Sequence, residues 1–307
     1  MTNSKSKVIV TGGAGFIGSH LADALVAKGY ETHVIDNLSG GKRQNVNTKA
    51  VFHEIDIRDT KVIADIIKGA DCVFHCAALP RVQRSIQFPQ ETNEVNVNGT
   101  LSVLMASKDA QVRRVIYSSS SSIYGDQKVL PLSEDLIANP KSPYGLQKYI
   151  GELYAKVFSD VYGLSTVSLR YFSVYGPRFN LSDGPYSLVI GKFIEQRLKR
   201  KPLTITGDGS QTRDFTHVSD IVVANLLAME SQKVGEGEAI NIGAGNNISI
   251  NHLSELIGGP VEYIEARLEP HDTKASNNKA KELLGWVPTV PLEEGIAELK
   301  KSFGIQN

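Results

Sequence analysis

The sequence predicts an α/β protein built on a doubly wound parallel sheet, with a smaller α/β lobe at its C-terminal end. Short β-branched or apolar runs alternate with helical patterns over residues 1–172, which is typical of parallel strands joined by helices. The alternation ends in the turn-rich stretch Phe172–Asp183. We therefore expect one domain over residues 1–172, to which a segment of about 213–242 returns, and a substrate-binding lobe over residues 173–307.

A glycine loop joins the first predicted strand to the first predicted helix. Lys7–Thr11 is a β-branched run, and glycines follow it at positions 12, 15 and 18. In this context Gly12 permits a tight turn, Gly15 lets the backbone approach a pyrophosphate, and Gly18 allows the helix to pack on the strand. The positive end of the helix then faces the anion. The arrangement predicts a Rossmann-type dinucleotide site.

The second predicted strand, Glu31–Ile35, ends in Asp36. A carboxylate at this place can accept hydrogen bonds from an adenosine ribose, and its charge would repel a 2′-phosphate. An ordinary loop acid is the alternative, but the strand, glycine loop and helix that precede Asp36 favour a cofactor contact. The sequence therefore predicts NAD rather than NADP.

Three further predicted strands lead into loops of the same kind. These strands and the residues that follow them are Val51–Ile55 with Asp56, Cys72–Cys76 with Ala77, and Val112–Ser119 with Ser120. Ligands of parallel sheets bind beyond the carboxyl ends of the strands, so we expect these loops to line one crevice. The predicted helix Glu91–Lys108 carries Asn96 on a small, apolar face. This amide either binds a backbone loop near the cofactor or belongs to an ordinary structural network.

The helix predicted over Ser142–Tyr162 carries the two side chains on which the functional prediction depends. Tyr144 and Lys148 are four residues apart and share one face of this helix. A nearby ammonium group favours the phenolate, so a phenol whose ordinary pKa is about 10 becomes a proton-transfer group in a partly dry cleft. The structural alternative is an exposed lysine beside a half-buried tyrosine, and this helix alone does not decide between them.

Composition narrows the classes of partner. The 307 residues include 33 basic and 33 acidic side chains, so the net charge favours neither nucleic acid nor an anionic membrane. No apolar run is long enough to cross a bilayer and no signal peptide is evident, which predicts a soluble, cytoplasmic protein. Cys72 and Cys76 lie in one predicted strand with a spacing that suits neither zinc nor a disulfide. We expect core thiols, no metal and a structural His75.

The predicted second lobe contains a helix over Ser187–Lys199, a strand over Pro202–Thr206 and a glycine-rich loop that leads to Arg213. A guanidinium group after such a loop suits a phosphate contact. The alternative is a surface arginine that pairs with Asp208 or Asp214. The residues by themselves leave both possibilities open.

The chain resembles the extended short-chain dehydrogenase/reductase superfamily over nearly its whole length. The resemblance rests on four features in this order: the glycine loop, Asp36, the serine cluster that begins at Ser120, and Tyr144 with Lys148. Five further motifs are similar to those of UDP-hexose 4-epimerases, the branch that handles UDP-glucose, UDP-galactose and their N-acetylated forms. They are His75-Cys-Ala-Ala-Leu79, Asn96-Val-Asn-Gly-Thr100, Ser120-Ser-Ser-Ile-Tyr-Gly-Asp126, Arg170-Tyr-Phe-Ser-Val-Tyr-Gly176 and Leu283-Leu-Gly-Trp286.

The resemblance implies a mechanism with permanently held NAD and oxidation of the sugar at C4. Tyr144 would take the O4 proton, Lys148 would lower the pKa of Tyr144 and hold the nicotinamide ribose, and Ser120 would hydrogen-bond the same sugar oxygen. The 4-keto sugar would then turn over in the pocket, and hydride and proton would return. By position, the implied cofactor contacts are Gly12, Gly15, Phe16, Ile17, Gly18, Asp36, Asn37, Asp56, Ile57, Ala77, Ala78, Asn96, Tyr144, Lys148 and Tyr171.

The resemblance also implies a UDP-sugar as the partner molecule. Its implied contacts are Ser121, Ser122, Ser173, Leu188, Val189, Thr204, Thr206, Arg213, Arg267 and Thr273. Ser173 stands where related epimerases have Asn, which shortens or removes a pyrophosphate contact. The segment Arg267–Thr273 departs from the spacing of the family. Thr273 falls at the position that limits pocket size, where a small residue would leave room for an N-acetyl group.

Two related reactions and one non-enzymatic function are the alternatives. A nucleotide-sugar 4,6-dehydratase or decarboxylase needs a carboxylate after the catalytic hydroxyl, and Ser121 and Ser122 do not supply one. A non-catalytic NAD-binding sensor would have no need to keep Ser120, Tyr144 and Lys148 together. The resemblance further implies a homodimer, in which helices 91–108 and 142–162 of two copies form a four-helix bundle.

Overall fold

The structure is a computed structural model that describes residues 6–179, 181, 189–265 and 272–305. Its strands are β1 (Lys7–Thr11), β2 (Glu31–Ile35), β3 (Val51–His53), β4 (Cys72–His75), β5 (Arg114–Ser120), β6 (Thr166–Tyr171), β7 (Val174–Tyr175), β8 (Leu203–Thr206), β9 (Thr212–Arg213), β10 (Thr216–His217), β11 (Glu236–Ile242), β12 (Ile248–Ser249) and β13 (Val261–Ile264).

The helices alternate with these strands. They are α1 (Phe16–Lys28), α2 (Thr60–Ile67), α3 (Val82–Gln87), α4 (Pro89–Asn93), α5 (Thr100–Asp109), α6 (Pro143–Tyr162), α7 (Val189–Leu198), α8 (Val218–Glu230), α9 (Ile250–Ile257), α10 (Asn278–Leu284) and α11 (Leu292–Ser302). A π-helical stretch, Glu94–Gly99, joins α4 to α5, so the helix predicted over Glu91–Lys108 is continuous. None of the helices in the described part of the chain is long and apolar enough to span a membrane.

Seven strands form one parallel sheet in the order β11-β6-β5-β4-β1-β2-β3. This order confirms the predicted doubly wound fold. The strand order reverses between β1 and β4, and the loops that leave these two strands border the crevice in which such sheets bind ligands. β1 and β2 have the predicted bounds, and the bounds of β3 to β5 differ from the prediction by at most two residues.

Helices cover both faces of the sheet, because successive strand residues point to opposite sides. Val8 and Val10 of β1 pack in a core with residues of α1 and α8. Ile9, between them, belongs to a second core with residues of α2, α5 and α6. Strands that are buried on both faces are nearly continuous apolar runs, which is why the sequence located them well.

The chain after β6 contributes to two parts of the molecule. β11 pairs with β6 at the edge of the parallel sheet, and α8 packs in the same core as α1. The C-terminal lobe, by contrast, consists of α7, β8, β9, α9, β12, β13 and α11. Phe193, Leu203, Leu253 and Ile296 lie in its separate apolar core. The exact domain boundaries given above stay a prediction.

Candidate active site

A cleft of about 510 Å³ opens at the carboxyl ends of the parallel strands. The loops that follow β1, β2, β3, β4 and β5 meet there, together with the first turn of α6. The predicted site residues that line this cofactor cleft are Gly12, Gly15, Phe16, Ile17, Gly18, Asp36, Asn37, Asp56, Ile57, Ala77, Ala78, Ser120, Ser121, Ser122, Tyr144, Tyr171 and Ser173. The structure therefore brings together side chains from both halves of the first domain predicted from the sequence.

The glycine loop is packed too tightly for side chains at two positions. Gly12 has φ +70, and a Cβ there would lie 2.7 Å from the backbone nitrogen of Ala77. A Cβ at Gly18 would lie 2.3 Å from the carbonyl oxygen of Gly12. Helix α1 begins without a side-chain cap and without an acidic residue in its first turn. Its first N–H groups are thus suited to bind an anion.

Asp36 is buried beside this loop. Its carboxylate accepts hydrogen bonds from the backbone N–H groups of Ala14 (3.0 Å) and Leu38 (2.8 Å). Burial raises the pKa of Asp36, and these two hydrogen bonds oppose the rise. Each carboxylate oxygen can accept more than one hydrogen bond, so Asp36 can bind a ribose hydroxyl as well. The neighbouring Asp56 differs, because hydrogen bonds from Arg58 lower its pKa to about 2.

His75 lies behind the loop that follows β4, and both of its ring nitrogens are hydrogen bonded within the protein. Thr100 Oγ1 donates to the carbonyl oxygen of Asn96 (2.7 Å), so His75 Nε2 donates to Thr100 (2.9 Å). His75 Nδ1 then accepts from Thr11 Oγ1 (2.7 Å), which itself accepts from the N–H of Ala77 (3.2 Å). Burial lowers the pKa of His75 to about 3. The imidazole is neutral and has the expected structural role.

Asn96 continues this polar network towards α6. Its Oδ1 accepts from the N–H of Leu79 (2.8 Å), and its Nδ2 donates to the carbonyl oxygen of Leu79 (3.2 Å) and to Gln147 Oε1 (2.8 Å). Gln147 Nε2 in turn donates to Thr92 Oγ1 (3.0 Å). Asn96 therefore binds the backbone loop after β4 and also belongs to a structural network with Gln147 and Thr92. Asn96 is not among the described residues that line the cleft, and its contact with the cofactor stays a prediction.

Sequence reasoning missed the part played by Gln147. Its side chain is buried on the same helix as Tyr144 and Lys148, and it ties α6 to the loop after β4 through Asn96. A polar amide among buried positions of a helix needs partners. This requirement could have identified Gln147 from the sequence as a residue that binds a neighbouring element.

Tyr144 is fixed at the start of α6 by contacts on both sides. Ser142 caps the helix by accepting from the N–H of Gly145 (3.1 Å), and Ser85 Oγ accepts from the N–H of Tyr144 (3.0 Å). The Tyr144 hydroxyl and Ser120 both line the cleft, and Ser120 opposes the rise in the pKa of Tyr144. Ser120 Oγ also accepts from the N–H of Ser122 (3.1 Å). A phenol and a serine hydroxyl from different elements thus share one place in the cleft.

The prediction that Lys148 lowers the pKa of Tyr144 needs correction. Burial raises the pKa of Tyr144 to about 12, and the opposing effects come from Ser120 and from the charge of Arg81. Lys148 Nζ donates instead to the carbonyl oxygen of Ser118 (2.7 Å) and lies 4.9 Å from the ring centroid of Tyr117. Burial lowers the pKa of Lys148 to about 8. Helical spacing predicted the shared face correctly but not the direction of the ammonium group.

Helix α6 lies directly against β5. A Cβ at Gly151 would be 2.3 Å from the hydroxyl oxygen of Tyr117, so glycine is required for this approach. The contact sets the depth of Tyr144 and Lys148 relative to the sheet. Sequence reasoning did not identify Gly151.

A buried ion pair supports the ends of β5 and β6. Arg170 donates to Glu152 through Nε (2.9 Å) and Nη2 (2.8 Å), and through Nη1 to the hydroxyl of Tyr124 (2.9 Å). Ser119, next to Ser120, also donates to Glu152. Arg170 belongs to one of the motifs quoted above, whereas its partner Glu152 was not predicted. The pair positions the strand that carries Ser120.

The predicted UDP contacts lie elsewhere, in or beside the C-terminal lobe. Val189 begins α7. On β8, Thr204 accepts a hydrogen bond from Gln196 Nε2 (2.8 Å) and Thr206 accepts one from Gln211 Nε2 (3.2 Å). Arg213 on β9 donates to the carbonyl oxygen of Thr212 (2.8 Å), and Thr273 accepts from the N–H of Asp214 (3.3 Å). Among the described residues predicted to contact the UDP-sugar, Ser121, Ser122 and Ser173 line the cofactor cleft and the others do not. Leu188 and Arg267 lie outside the described residues.

Asp214 joins separate segments of this region. Its carboxylate accepts from the N–H groups of Ala244 (2.7 Å), Gly245 (3.0 Å) and Ala275 (2.8 Å). Burial raises its pKa to about 6. Asp214 is thus occupied by backbone donors rather than by Arg213, which removes one of the two acids considered as partners for that arginine.

Comparison with known proteins agrees with this geometry. The model of the NAD dependent epimerase/dehydratase family matches residues 8–243. A putative UDP-glucose 4-epimerase of Methanocaldococcus jannaschii is 37% identical over 297 residues, which are 94% of this chain and 95% of the relative. The chain is also 34% identical to a UDP-N-acetyl-alpha-D-glucosaminuronate decarboxylase of Bacillus cytotoxicus, with 96% of each covered.

Solved structures extend the comparison. UDP-glucose 4-epimerase of Thermotoga maritima with UDP-glucose superimposes with a TM-score of 0.92 at 39% identity, covering 97% of this chain and 98% of that one. UDP-N-acetylglucosamine 4-epimerase from Methanobrevibacter ruminantium M1, in complex with UDP-N-acetylmuramic acid, has a TM-score of 0.92 at 36% identity and 98% coverage of both chains. UDP-glucuronic acid 4-epimerase from Bacillus cereus, in complex with UDP-glucuronic acid and NAD, has a TM-score of 0.89 at 34% identity and covers 97% and 99%.

The chain belongs to the NAD-dependent epimerase/dehydratase family, within the extended short-chain dehydrogenase/reductase superfamily. Its cofactor is NAD. The cleft fits this group, because the tightly packed Gly12 and Gly18 leave the backbone exposed to a pyrophosphate, and Asp36 offers its carboxylate at the end of β2.

Proposed function

We propose that the chain is an enzyme that epimerises a UDP-hexose at C4 with tightly bound NAD. The observation that carries this proposal is that Tyr144 and Ser120, which come from different elements, line the dinucleotide cleft together, where Ser120 opposes the rise in the pKa of Tyr144. A phenol and a hydroxyl at one point can exchange a proton with a single sugar oxygen. NAD, when bound, supplies the group that takes up a hydride from C4 and returns it.

The reactive residues have separate tasks in this proposal. Tyr144 accepts the proton of the sugar O4 and later returns it, while Ser120 hydrogen-bonds the same oxygen as its charge develops. Because burial holds the pKa of Tyr144 at about 12, the phenolate requires positive charge close by. In this proposal Lys148, buried beside Ser118, binds the nicotinamide ribose.

The second half of the substrate is assigned to the C-terminal lobe. Arg213 and Arg267 would contact the phosphates, Thr204 and Thr206 the uridine, and Leu188 with Val189 the base. Ser173, whose backbone φ is +25, would approach the pyrophosphate with a shorter side chain than the Asn of related epimerases. Thr273 lies next to the backbone of Asp214 and would border the sugar. Firm binding of the nucleotide would leave the hexose room to rotate, as epimerisation requires.

The chemistry at the serine cluster favours epimerisation over elimination or decarboxylation. Ser120, Ser121 and Ser122 are followed in the cleft wall by Tyr144, and no carboxylate stands beside them among the lining residues that the structure describes. Loss of water or of CO₂ from a 4-keto sugar calls for an acid or base at that place. Relatives named as decarboxylases make it necessary to identify the product directly in any assay.

We also propose a homodimer formed through α5 and α6. Leu146, Leu153, Val157 and Val161 are spaced along one side of α6 and are about half exposed, and so is Met105 of α5. An apolar stripe on two neighbouring helices suits a four-helix contact between two copies. A cytoplasmic location stays a prediction from the sequence.

The test replaces the phenol. Wild-type protein should contain NAD and convert at least one of UDP-glucose, UDP-N-acetylglucosamine and UDP-glucuronate to its C4 epimer. Tyr144→Phe should keep its NAD and its melting temperature but lose turnover by about 10²- to 10⁴-fold, since only the proton-transfer group is removed. Tyr162→Phe, an exposed tyrosine at the end of the same helix, is the matched control. Full turnover by Tyr144→Phe would refute the mechanism.

A further inference from the structure

We propose that Ser85 is a positioning residue, which holds Tyr144 at the depth where its phenol meets the substrate beside Ser120. This inference rests on the proposed epimerase function and adds a residue that the sequence did not indicate. Ser85 lies on α3, and its side chain is fully buried. Because its hydrogen bond is to the backbone of Tyr144, Ser85 would act on the geometry of the reaction without touching the sugar.

The direction of this hydrogen bond is fixed by a second one. Ser85 Oγ donates its single proton to the carbonyl oxygen of Val82 (2.6 Å), so the same oxygen can only accept from the N–H of Tyr144 (3.0 Å). Both distances are ordinary for hydrogen bonds of their kind. One buried atom therefore joins α3 to the first turn of α6.

The N–H of Tyr144 is a donor that α6 itself cannot satisfy. Backbone N–H groups in the first turn of a helix have no carbonyl partner within that helix. Pro143 has no N–H group, and Ser142 Oγ accepts from the N–H of Gly145 (3.1 Å). Ser85 supplies the acceptor for Tyr144 from outside the helix. Because Tyr144 is buried, loss of this acceptor would leave the N–H without a partner, which destabilises its present position.

A second contact fixes the next turn of α6 from the same side. Gln147 Nε2 donates to Thr92 Oγ1 of α4 (3.0 Å), and Gln147 Oε1 accepts from Asn96 (2.8 Å). The chain between α3 and α5 thus holds α6 at two points. The contact of Ser85 is the one made at the residue that carries the phenol.

Proton transfer is sensitive to the position that Ser85 would maintain. Tyr144 and Ser120 belong to α6 and β5 and must meet one sugar oxygen in the cleft. A displacement of about 1 Å at a reacting group can lower a rate by about 10²-fold. The ends of a helix fray most readily, so the first turn of α6 would move without Ser85. The proposed nucleotide contacts lie in the C-terminal lobe, and substrate binding should change little.

The experiment removes the hydroxyl of Ser85 and keeps that of Tyr144. Ser85→Ala should retain its NAD and lose about 10- to 100-fold in kcat, with KM changed by less than about threefold. Ser85→Cys, which has a similar size but a weak acceptor, should give an intermediate kcat. Each variant is assayed below its melting temperature on a UDP-hexose that the wild type converts.

The matched control is Ser107→Ala. Ser107 is also a fully buried helical serine, and its hydroxyl donates to the carbonyl oxygen of Val103 on α5 (2.7 Å). This variant should keep the wild-type kcat. Hydrogen–deuterium exchange over residues 142–150 then tests the contact directly. Exchange in NAD-containing Ser85→Ala should be about tenfold faster than in wild type, and exchange in Ser107→Ala should be unchanged.

Other outcomes overturn the inference in distinguishable ways. A wild-type kcat in Ser85→Ala, or an equal loss in Ser107→Ala, would show that Ser85 does not position the phenol. A loss of kcat that is matched by a loss of NAD would give Ser85 a role in the cleft as a whole, and the inference would be wrong. If the wild type converts no UDP-hexose, the epimerase function fails and exchange decides alone. Faster exchange confined to Ser85→Ala would then support the hold on Tyr144, and unchanged exchange would refute it.

Discussion

The cofactor cleft and the C-terminal lobe are built in different ways. In the cleft, the site residues come from loops after neighbouring strands of one sheet, whose order is fixed by backbone pairing. In the lobe, Thr204 lies on β8 and Arg213 on β9, and these strands belong to separate two-stranded sheets. Strand order alone therefore locates the first site, whereas the second depends on side-chain contacts such as those of Asp214.

The two regions also use their polar groups differently. In the cofactor cleft, a chain of hydrogen bonds runs from Thr11 through His75 and Asn96 to Gln147 and stabilises the loop after β4, which lines the cleft. In the second, one carboxylate gathers three backbone donors from distant segments. If the cleft binds NAD and the lobe binds UDP independently, a substitution in one region should leave the binding of the other ligand unchanged.

The largest expected effect is at the glycine loop. Gly18→Ala places a Cβ 2.3 Å from the carbonyl oxygen of Gly12, so the backbone must shift at the cost of about 1–3 kcal/mol. We expect purified Gly18→Ala protein to contain almost no NAD and to melt at a lower temperature. Gly15→Ala, whose Cβ would lie 3.1 Å from the same oxygen, should be milder. Equal NAD content in both variants and wild type would contradict the assignment of the loop.

A smaller effect is expected in the lobe. Arg213→Gln removes a charge proposed to contact a phosphate, which should weaken UDP binding by about 10- to 100-fold. NAD content and melting temperature should stay at wild-type values, because Arg213 lies outside the cofactor cleft. Calorimetry with UDP gives the affinity, and the absorbance of released cofactor gives the NAD content. A parallel loss of NAD would mean that the two regions do not act separately.

The smallest net effect comes from two pH dependences of the unfolding free energy that oppose each other between about pH 4 and pH 6. His75, with a pKa lowered to about 3, binds fewer protons folded than unfolded, so its contribution raises the unfolding free energy as pH rises from about 3 to 6.5. Asp214, with a pKa raised from 3.8 to about 6, binds more protons folded, so its contribution falls as pH rises between about 4 and 6. Each slope approaches about 1.4 kcal/mol per pH unit.

Urea unfolding between pH 4 and pH 7 separates the two contributions. Relative to wild type, His75→Gln should remove the rising slope and Asp214→Asn the falling one. Slopes that stay unchanged in both variants would show that neither buried group is linked to folding in this way.

The sequence predicted the parallel sheet and most of the cofactor cleft, for a physical reason. Gly12 and Asp36 each follow a strand and Ser120 ends one, and parallel strands bring their carboxyl ends to one edge of the sheet. The direction of the Lys148 ammonium group was not predictable, because it depends on the carbonyl oxygen of Ser118 in another element. Gln147 was also missed, since its importance arises only from contact with Asn96.

The close packing of α6 against β5 affects what the formation of a dimer can change. Gly151 lies against Tyr117 without space for a methyl group, while Leu146 and Leu153 on the same helix are about half exposed. A second copy that covers this outer surface would contact a helix that cannot move closer to the sheet, because α6 already packs tightly against β5. Tyr144 and Lys148 therefore keep their depth whether the chain is single or paired, and we expect association to change the lifetime of the enzyme more than its chemistry.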